Sequence, residues 1–160
     1  ESPLTVKNLP SFYLSAGLGG AVGIGPGAMV SATIAVDHLQ ITARLAGASE
    51  FTLLEPPGTS LSEYGLMAGY ALNTGVSHVY AVAGLAMVSV DRRGREIDHS
   101  GEWSWTDYER VKETTVGVPI QIGVDFGRSF AAIGLALMAN LNPSQSYTGL
   151  LLTLSLGKLR

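Results

Sequence analysis

From Ala131 to Leu156 the chain alternates. Ile133, Leu135, Leu137 and Leu141 fall on one side in steps of two, and Ala132, Gly134, Ala136, Met138 and Asn140 on the other. Past Asn142-Pro143-Ser144 the alternation resumes, with Leu150, Leu152, Leu154 and Leu156 against Leu151, Thr153, Ser155 and Gly157. A period of two is that of a β-strand, so each segment offers one large apolar face and one small or polar face. A water-soluble barrel turns its bulky apolar face inward. A leucine face opposite a Gly/Ala/Ser/Thr face fits the inverse, with leucines toward lipid and small residues toward a tight lumen. The pattern predicts an all-β fold, an eight-stranded antiparallel up-and-down transmembrane β-barrel.

The same reading predicts six earlier strands, over 11–20, 28–36, 39–51, 62–73, 78–90 and 114–126. In the third, Gln40, Thr42, Arg44, Ala46, Ala48 and Glu50 face inward; in the fourth, Glu63, Gly65, Met67, Gly69 and Ala71 do. The fifth is apolar on both faces, so its period does not orient it. Pro119 in the sixth lacks a ladder donor and predicts a bulge. Ile24-Gly25-Pro26-Gly27, Asp37-His38, Asn73-Thr74-Gly75 and Gly127-Arg128 are turn signals, and residues 53–60 around Pro56-Pro57-Gly58 form a loop. Asp91–Lys112 reads as a long polar external loop, and 1–10 as a lead-in. Tight second, fourth and sixth connections leave both termini on the short-turn side of a membrane. Phe12, Phe126 and Tyr80 then line that rim, with Phe51 and Tyr64 lining the other.

Composition sharpens this picture. At 160 residues the chain is one domain, 1–160, and its 14% charged residues are few beside the roughly 25% of soluble domains. Mean hydropathy is +0.28, yet Gly and Pro interrupt every run before the ~18 apolar residues of a membrane helix. A net charge of −3 without a basic stripe argues against a nucleic-acid partner. Absence of Cys excludes disulfides and thiolate metal sites. Glu1-Ser2-Pro3-Leu4 has neither the basic region nor the apolar core of a signal peptide, so the sequence reads as a mature or trimmed chain.

Three short motifs accompany the meander: Arg92-Arg93-Gly94, Asn140-Leu141-Asn142-Pro143 and Gly157-Lys158-Leu159-Arg160. With them the chain resembles the small eight-stranded outer-membrane barrels, of the kind of the OmpA membrane domain and OmpX. Within these it is most similar to a barrel family with an Arg-Arg-Gly loop, an Asn-Leu-Asn-Pro turn and a Gly-Lys-Leu-Arg ending. The resemblance implies a bacterial outer-membrane location, and it brings no activity to carry over. In one respect the chain departs: many outer-membrane proteins end on an aromatic residue used in assembly, and this sequence ends Leu159-Arg160.

Candidate chemistry is sparse. The histidines are His38, His78 and His99. His38 and His78 fall at the short-turn end, and His99-Ser100 lies in the long loop, where adjacent residues do not make a triad. No catalytic residue, metal site or cofactor is expected; Gly17-x-Gly19-Gly20 has no following helix to bind a nucleotide. Arg92, Arg93 and Arg95, with Trp103, Trp105 and Tyr108, form the loop interaction candidates. Guanidinium groups suit the phosphates of lipopolysaccharide, and amphipathic aromatics suit headgroup depth, which makes outer-membrane lipid or lipopolysaccharide the expected partner. A solvated hairpin balanced by Asp91, Glu96, Asp98 and Glu102 is the plainer reading.

The lumen candidates are Arg44, Glu50, Glu63 and Gln121. A hairpin symmetric about Pro56-Pro57 sets Glu50 opposite Glu63 and Arg44 opposite Gly69, whereas a shifted register brings Arg44 nearer Glu63. Side chains roughly fill an eight-stranded interior, although Gly17, Ala46, Gly65, Gly69, Gly134 and Ala136 leave room for a narrow hydrated tube. The function expected is an integral outer-membrane barrel with a structural, adhesive or surface-interaction role through its external loops. The alternatives are a lipid-modifying enzyme on the same barrel and a soluble eight-stranded ligand-binding barrel; the residues weigh against catalysis.

Overall fold

The computed structural model describes residues 10–50, 58–97, 107–128 and 130–158. Within them the strands are β1 (Ser11–Ala21), β2 (Gly25–Val36), β3 (Leu39–Ser49), β4 (Thr59–Asn73), β5 (Ser77–Ile97), β6 (Asp107–Arg128), β7 (Ala131–Leu141) and β8 (Tyr147–Lys158). Each pairs antiparallel with its sequence neighbours, and β1 pairs with β8 to close the ring.

The alternation decides the facing. On β8, Leu150, Leu152, Leu154 and Leu156 are exposed, while Leu151, Thr153 and Ser155 are buried. β1, β2, β3, β4, β6 and β7 follow the expected pattern likewise. An unbroken outer belt of Leu, Ile and Val around a partly polar interior is the facing of a transmembrane barrel, and it excludes the soluble ligand carrier. On β5, Tyr80, Val82, Val88 and Val90 are buried, and Val79, Leu85 and Met87 are exposed. The strand that its own period left unoriented is thus set by its register with β4 and β6.

Four local expectations are corrected. The first hairpin turns at Val22-Gly23-Ile24, with Gly23 at φ 78°, so Gly25 and Pro26 belong to β2. Tyr80 points into the barrel instead of lining a rim. Pro119 makes no bulge: Ala83↔Ile120 and Ala86↔Gly117 share one register, and the ladder merely lacks pairs between them. The proline costs donors without displacing the strand, because its other edge still aligns with Asn140. The fourth concerns Asp91–Lys112. Strand pairing continues through Asp91↔Lys112 and Arg92↔Val111 to Ile97↔Asp107, with the β-bulge between Arg93 and Glu96.

The inside is packed by size complementarity across the ladder. Large inward residues sit opposite glycines: Met29 opposite Gly17, Arg44 opposite Gly65, Gln40 opposite Gly69, Tyr80 opposite Gly123 and Asp125 opposite Gly134. A Cβ on Gly123 would overlap the Tyr80 ring, and one on Gly134 would overlap the Asp125 carboxylate. The small residues expected to leave a hydrated tube are therefore the seats of their neighbours' side chains. Toward the loop end the interior closes with an apolar cluster that includes Ile24, Met29, Leu61, Val88, Val90 and Leu151.

Candidate functional site

The mid-barrel network is built on one ion pair. Arg44 of β3 and Glu63 of β4 are each 1% exposed. The register is Arg44↔Gly65 and Ala46↔Glu63, so the shifted hairpin holds. Side chains two residues apart on adjacent strands converge, and Nε of Arg44 donates to Oε1 of Glu63 at 2.9 Å, with Nη2 donating to the same oxygen. Asn140 Nδ2 and the Tyr147 hydroxyl donate to Oε2 of Glu63, at 2.7 and 2.5 Å. On the far side Arg44 Nη1 donates to Gln121 Oε1 at 3.1 Å, and Gln121 Nε2 donates to the Tyr80 hydroxyl at 3.0 Å. A buried charge pair is tolerable only when its remaining donors and acceptors are filled, and these are.

Three of the four lumen candidates, Arg44, Glu63 and Gln121, are thus brought together. Glu50 is not: it is exposed just past the end of β3, where its N–H donates to the Thr59 carbonyl at 2.9 Å. The expected meeting of two carboxylates does not occur.

A second cluster sits nearer the short-turn end. His78 stacks on Tyr80, with ring centroids 5.5 Å apart, and meets Tyr13 edge-on at 5.6 Å. Its Nδ1 lies 3.7 Å from Oδ2 of Asp125, beyond hydrogen-bond reach. Thr153 and Ser155 donate to Asp125 at 3.2 and 3.5 Å. His38 is exposed at the turn after β2. Among the described residues no group of three or more His, Cys, Asp or Glu could hold a metal ion.

Above the barrel, β5 and β6 continue as a two-stranded ribbon. β4 stops opposite Arg92 and β7 stops opposite Val118, so among the described residues Asp107–Gly117 pair with β5 alone. Of the loop candidates, Arg92 reaches across the mouth to the β7–β8 turn, donating to the Ser144 carbonyl at 2.7 Å and to Gln145 Oε1 at 3.3 Å. That turn is shaped by Asn142, whose Oδ1 accepts from the N–H groups of Ser144 and Gln145. The Asn142 amide also donates to Asn140, linking the turn to the Glu63 network. Arg93 lies 4.3 Å over the ring of Tyr108, a cation–π contact. Arg95 is exposed on β5. Trp103 and Trp105, like His99, Ser100 and Phe51, lie outside the described residues.

On the outward side of these strands the rows align in register. Tyr64, Met87 and Val116 form one row, Ser62, Ser89 and Thr114 the next, and Ser60, Asp91 and Lys112 the third. Arg93 opposite Arg110 makes the fourth. Arg110 approaches Asp91 at 3.4 Å. Beneath the hydroxyl row lies an apolar groove of about 620 Å³, walled by Leu45, Tyr64, Leu66, Leu85, Met87 and Val116 over Ala43.

Reading the sequence alone missed Tyr13, Gln40, Tyr80, Asp125, Asn140 and Tyr147 as partners inside the barrel. A signal was present, since large polar residues and glycines alternate on inward positions, but which glycine faces which side chain is a matter of register.

No protein-family model matches the chain, and no curated protein matches it. Solved structures do. The N-terminal barrel domain of Pseudomonas aeruginosa OprF superposes with a TM-score of 0.67 at 12% identity, over 92% of this chain and 96% of that one. Neisserial surface protein A gives 0.59 at 14%, over 93% and 96%. Ail of Yersinia pestis gives 0.60 at 8%, over 94% and 97%. The chain has the fold of the small eight-stranded outer-membrane barrels.

Proposed function

We propose that this chain is an integral protein of the bacterial outer membrane, a closed anchor that presents its β5–β6 ribbon to partners outside the cell. The carrying observation is the edge of β6. Among the described residues, Asp107–Gly117 leave one side of an extended strand without a ladder partner, and such an edge accepts an added strand through main-chain hydrogen bonds. Charged side chains on this stretch (Glu109, Arg110, Lys112 and Glu113) restrain indiscriminate pairing while leaving the backbone available. The filled interior suits an anchor better than a pore, because an ion would have to part the Arg44–Glu63 pair and the apolar cluster above it. Ail, a neighbour in fold, has been crystallised with the heparin analogue sucrose octasulfate, which makes a sulfated glycan a useful second probe of this surface.

Two measurements test the reading. Folded protein in planar bilayers should pass no steady current; sustained conductance by the wild type would remove the anchor. Edge pairing is tested with proline. In an antiparallel pair, successive residues direct their N–H and C=O alternately toward the partner and away from it. One of Val111→Pro and Lys112→Pro therefore blocks the free edge while the other breaks the β5–β6 ladder. Retention of expressing cells on immobilised matrix protein or heparin should fall for the edge-blocking variant, with barrel folding intact. Equal retention by wild type and a variant whose ribbon is trimmed to an Asn-Gly turn would refute the role.

A further inference from the structure

We infer that the free edge of β6 is coded by charge for a foreign strand of the opposite alternation, one that sets acidic residues against Arg110 and Lys112 and basic residues against Glu109 and Glu113. The inference rests on the strand-edge reading above and names the partner which that edge takes. Over Tyr108–Glu113 the charges of β6 are sorted by face. Even-numbered residues continue the outward row of Val116 and Val118, and odd-numbered ones continue the inward row of Gly117, Pro119 and Gln121. The bulge in this stretch lies on β5: from Arg93↔Arg110 to Glu96↔Tyr108 it takes three steps against two on β6, so the alternation of β6 is unbroken. Arg110 and Lys112 therefore stand on one face and Glu109 and Glu113 on the other, all four exposed.

Two of the four charges already have partners on β5. Arg110 lies 3.4 Å from Asp91, and Glu113 lies 3.9 Å from Arg92. Both contacts are long and partly exposed, a class of ion pair worth little, so they hold the side chains to their faces without consuming the charge. An added strand lays its side chains about 4.5–5.5 Å from those of its neighbour on the same face, where opposite charges attract and like charges repel. Sorting by face also rules against a second copy as the occupant. The two-fold axis of an antiparallel pair of identical strands keeps every side chain on its own face. Arg110 and Lys112 then share a face with Arg110 and Lys112, Glu109 and Glu113 with Glu109 and Glu113, and no register of that kind brings opposite charges together. A foreign strand of opposite alternation gains at all four positions, so the edge combines attraction to one class of partner with repulsion of its own kind.

The test titrates macrocyclic β-hairpins onto the folded protein in lipid nanodiscs, followed through the amide resonances of Tyr108–Glu113. The matched hairpin presents Thr-Lys-Glu-Val-Glu-Lys on its free edge, antiparallel to β6, with its lysines opposite Glu113 and Glu109 and its glutamates opposite Lys112 and Arg110. Its isomer presents Thr-Lys-Lys-Val-Glu-Glu, which in the same register makes two opposite-charge and two like-charge pairs. A third is the matched hairpin N-methylated along its free edge. The matched hairpin should bind about tenfold tighter than its isomer, two like-charge pairs being exchanged for opposite-charge ones. N-methylation should abolish binding. Glu109→Lys with Lys112→Glu should reverse the preference, because the isomer then meets an opposite charge at all four positions. Equal binding of the two isomers by wild type, with loss on N-methylation, would overturn the charge code and leave the strand edge standing. Binding of the N-methylated hairpin, or of none of the three, would overturn the strand edge itself. Dimers of wild type that the matched hairpin dissolves would make a second copy the occupant and overturn the assignment to a foreign strand. Heat-modifiable gel mobility is read on every sample, and the comparison of isomers on wild type does not depend on the variant's folding.

Discussion

Removing Glu63 should harm the barrel more than removing Arg44, and removing both should harm it less than removing Glu63 alone. The reasoning follows from which groups are left without partners. Glu63→Leu leaves a guanidinium with 1% exposure bonded only to Gln121, and deprives Asn140 Nδ2 and the Tyr147 hydroxyl of their acceptor. Breaking a buried pair costs about 3–5 kcal/mol, and each orphaned neutral group adds about 1–3 kcal/mol, so the total is roughly 5 kcal/mol or more. Arg44→Met costs the first part, about 3–5 kcal/mol, and orphans one neutral group, the Gln121 Oε1 acceptor, instead of two, because Asn140 and Tyr147 still hold Oε2 of the carboxylate. Introducing Arg44→Met into the Glu63→Leu chain removes an uncompensated charge and fills its space with a thioether of similar length. Its effect should reverse sign, from destabilising in the wild type to stabilising in the variant, which is a coupling of several kcal/mol. Urea unfolding in phospholipid vesicles, followed by the folded gel band and by far-UV circular dichroism, measures all four corners of the cycle. If Arg44→Met destabilised both backgrounds equally, the two side chains would be energetically independent and the network argument would be wrong.

Facing is tested by Leu152→Arg, which puts a charge on the lipid side and should cost about 2–4 kcal/mol near the midplane; tolerance of it in bilayers would contradict the outward assignment. Gly123→Val should cost roughly 1–3 kcal/mol because its side chain meets the Tyr80 ring, with partial recovery on adding Tyr80→Ala. Gly20→Ala, whose Cβ meets nothing closer than 3.7 Å, should stay within about 0.5 kcal/mol in the same unfolding assay. Joining Ile97 to Asp107 by an Asn-Gly turn should leave barrel formation intact, since the paired ribbon below it is retained; loss of the folded gel band would show that the tip is structural. His99→Ala with Ser100→Ala should leave the acylation pattern of lipopolysaccharide unchanged by mass spectrometry, and acyl loss dependent on those two residues would establish catalysis.

The sequence by itself determined the fold class, the strand number and the facing of seven strands. These follow from a period of two, which each strand carries in its own residues whatever its neighbours do. Leu150 through Leu156 could only be a lipid-facing row once the residues between them, Leu151 apart, were small or polar. β5 escaped this logic because large apolar residues stand on both of its faces, Val79, Leu85 and Met87 on one and Tyr80, Val82 and Val88 on the other, and only its hydrogen-bonded neighbours chose Tyr80 and Val88 for the inside. Register was likewise invisible. A slip of an odd number of residues flips a strand's face and is readable; an even slip preserves the face and changes every partner. That distinction separates Arg44 opposite Gly69 from Arg44 opposite Gly65, and so an unpaired arginine from one bound to Glu63. Strand ends were hidden for a related reason. Asp91–Ile97 and Asp107–Lys112 are too polar to read as membrane strands, yet above the belt water tolerates polar side chains and the backbone ladder simply continues. The tertiary structure decided what long-range pairing decides: who faces whom across the barrel, and how far the ribbon stands beyond it.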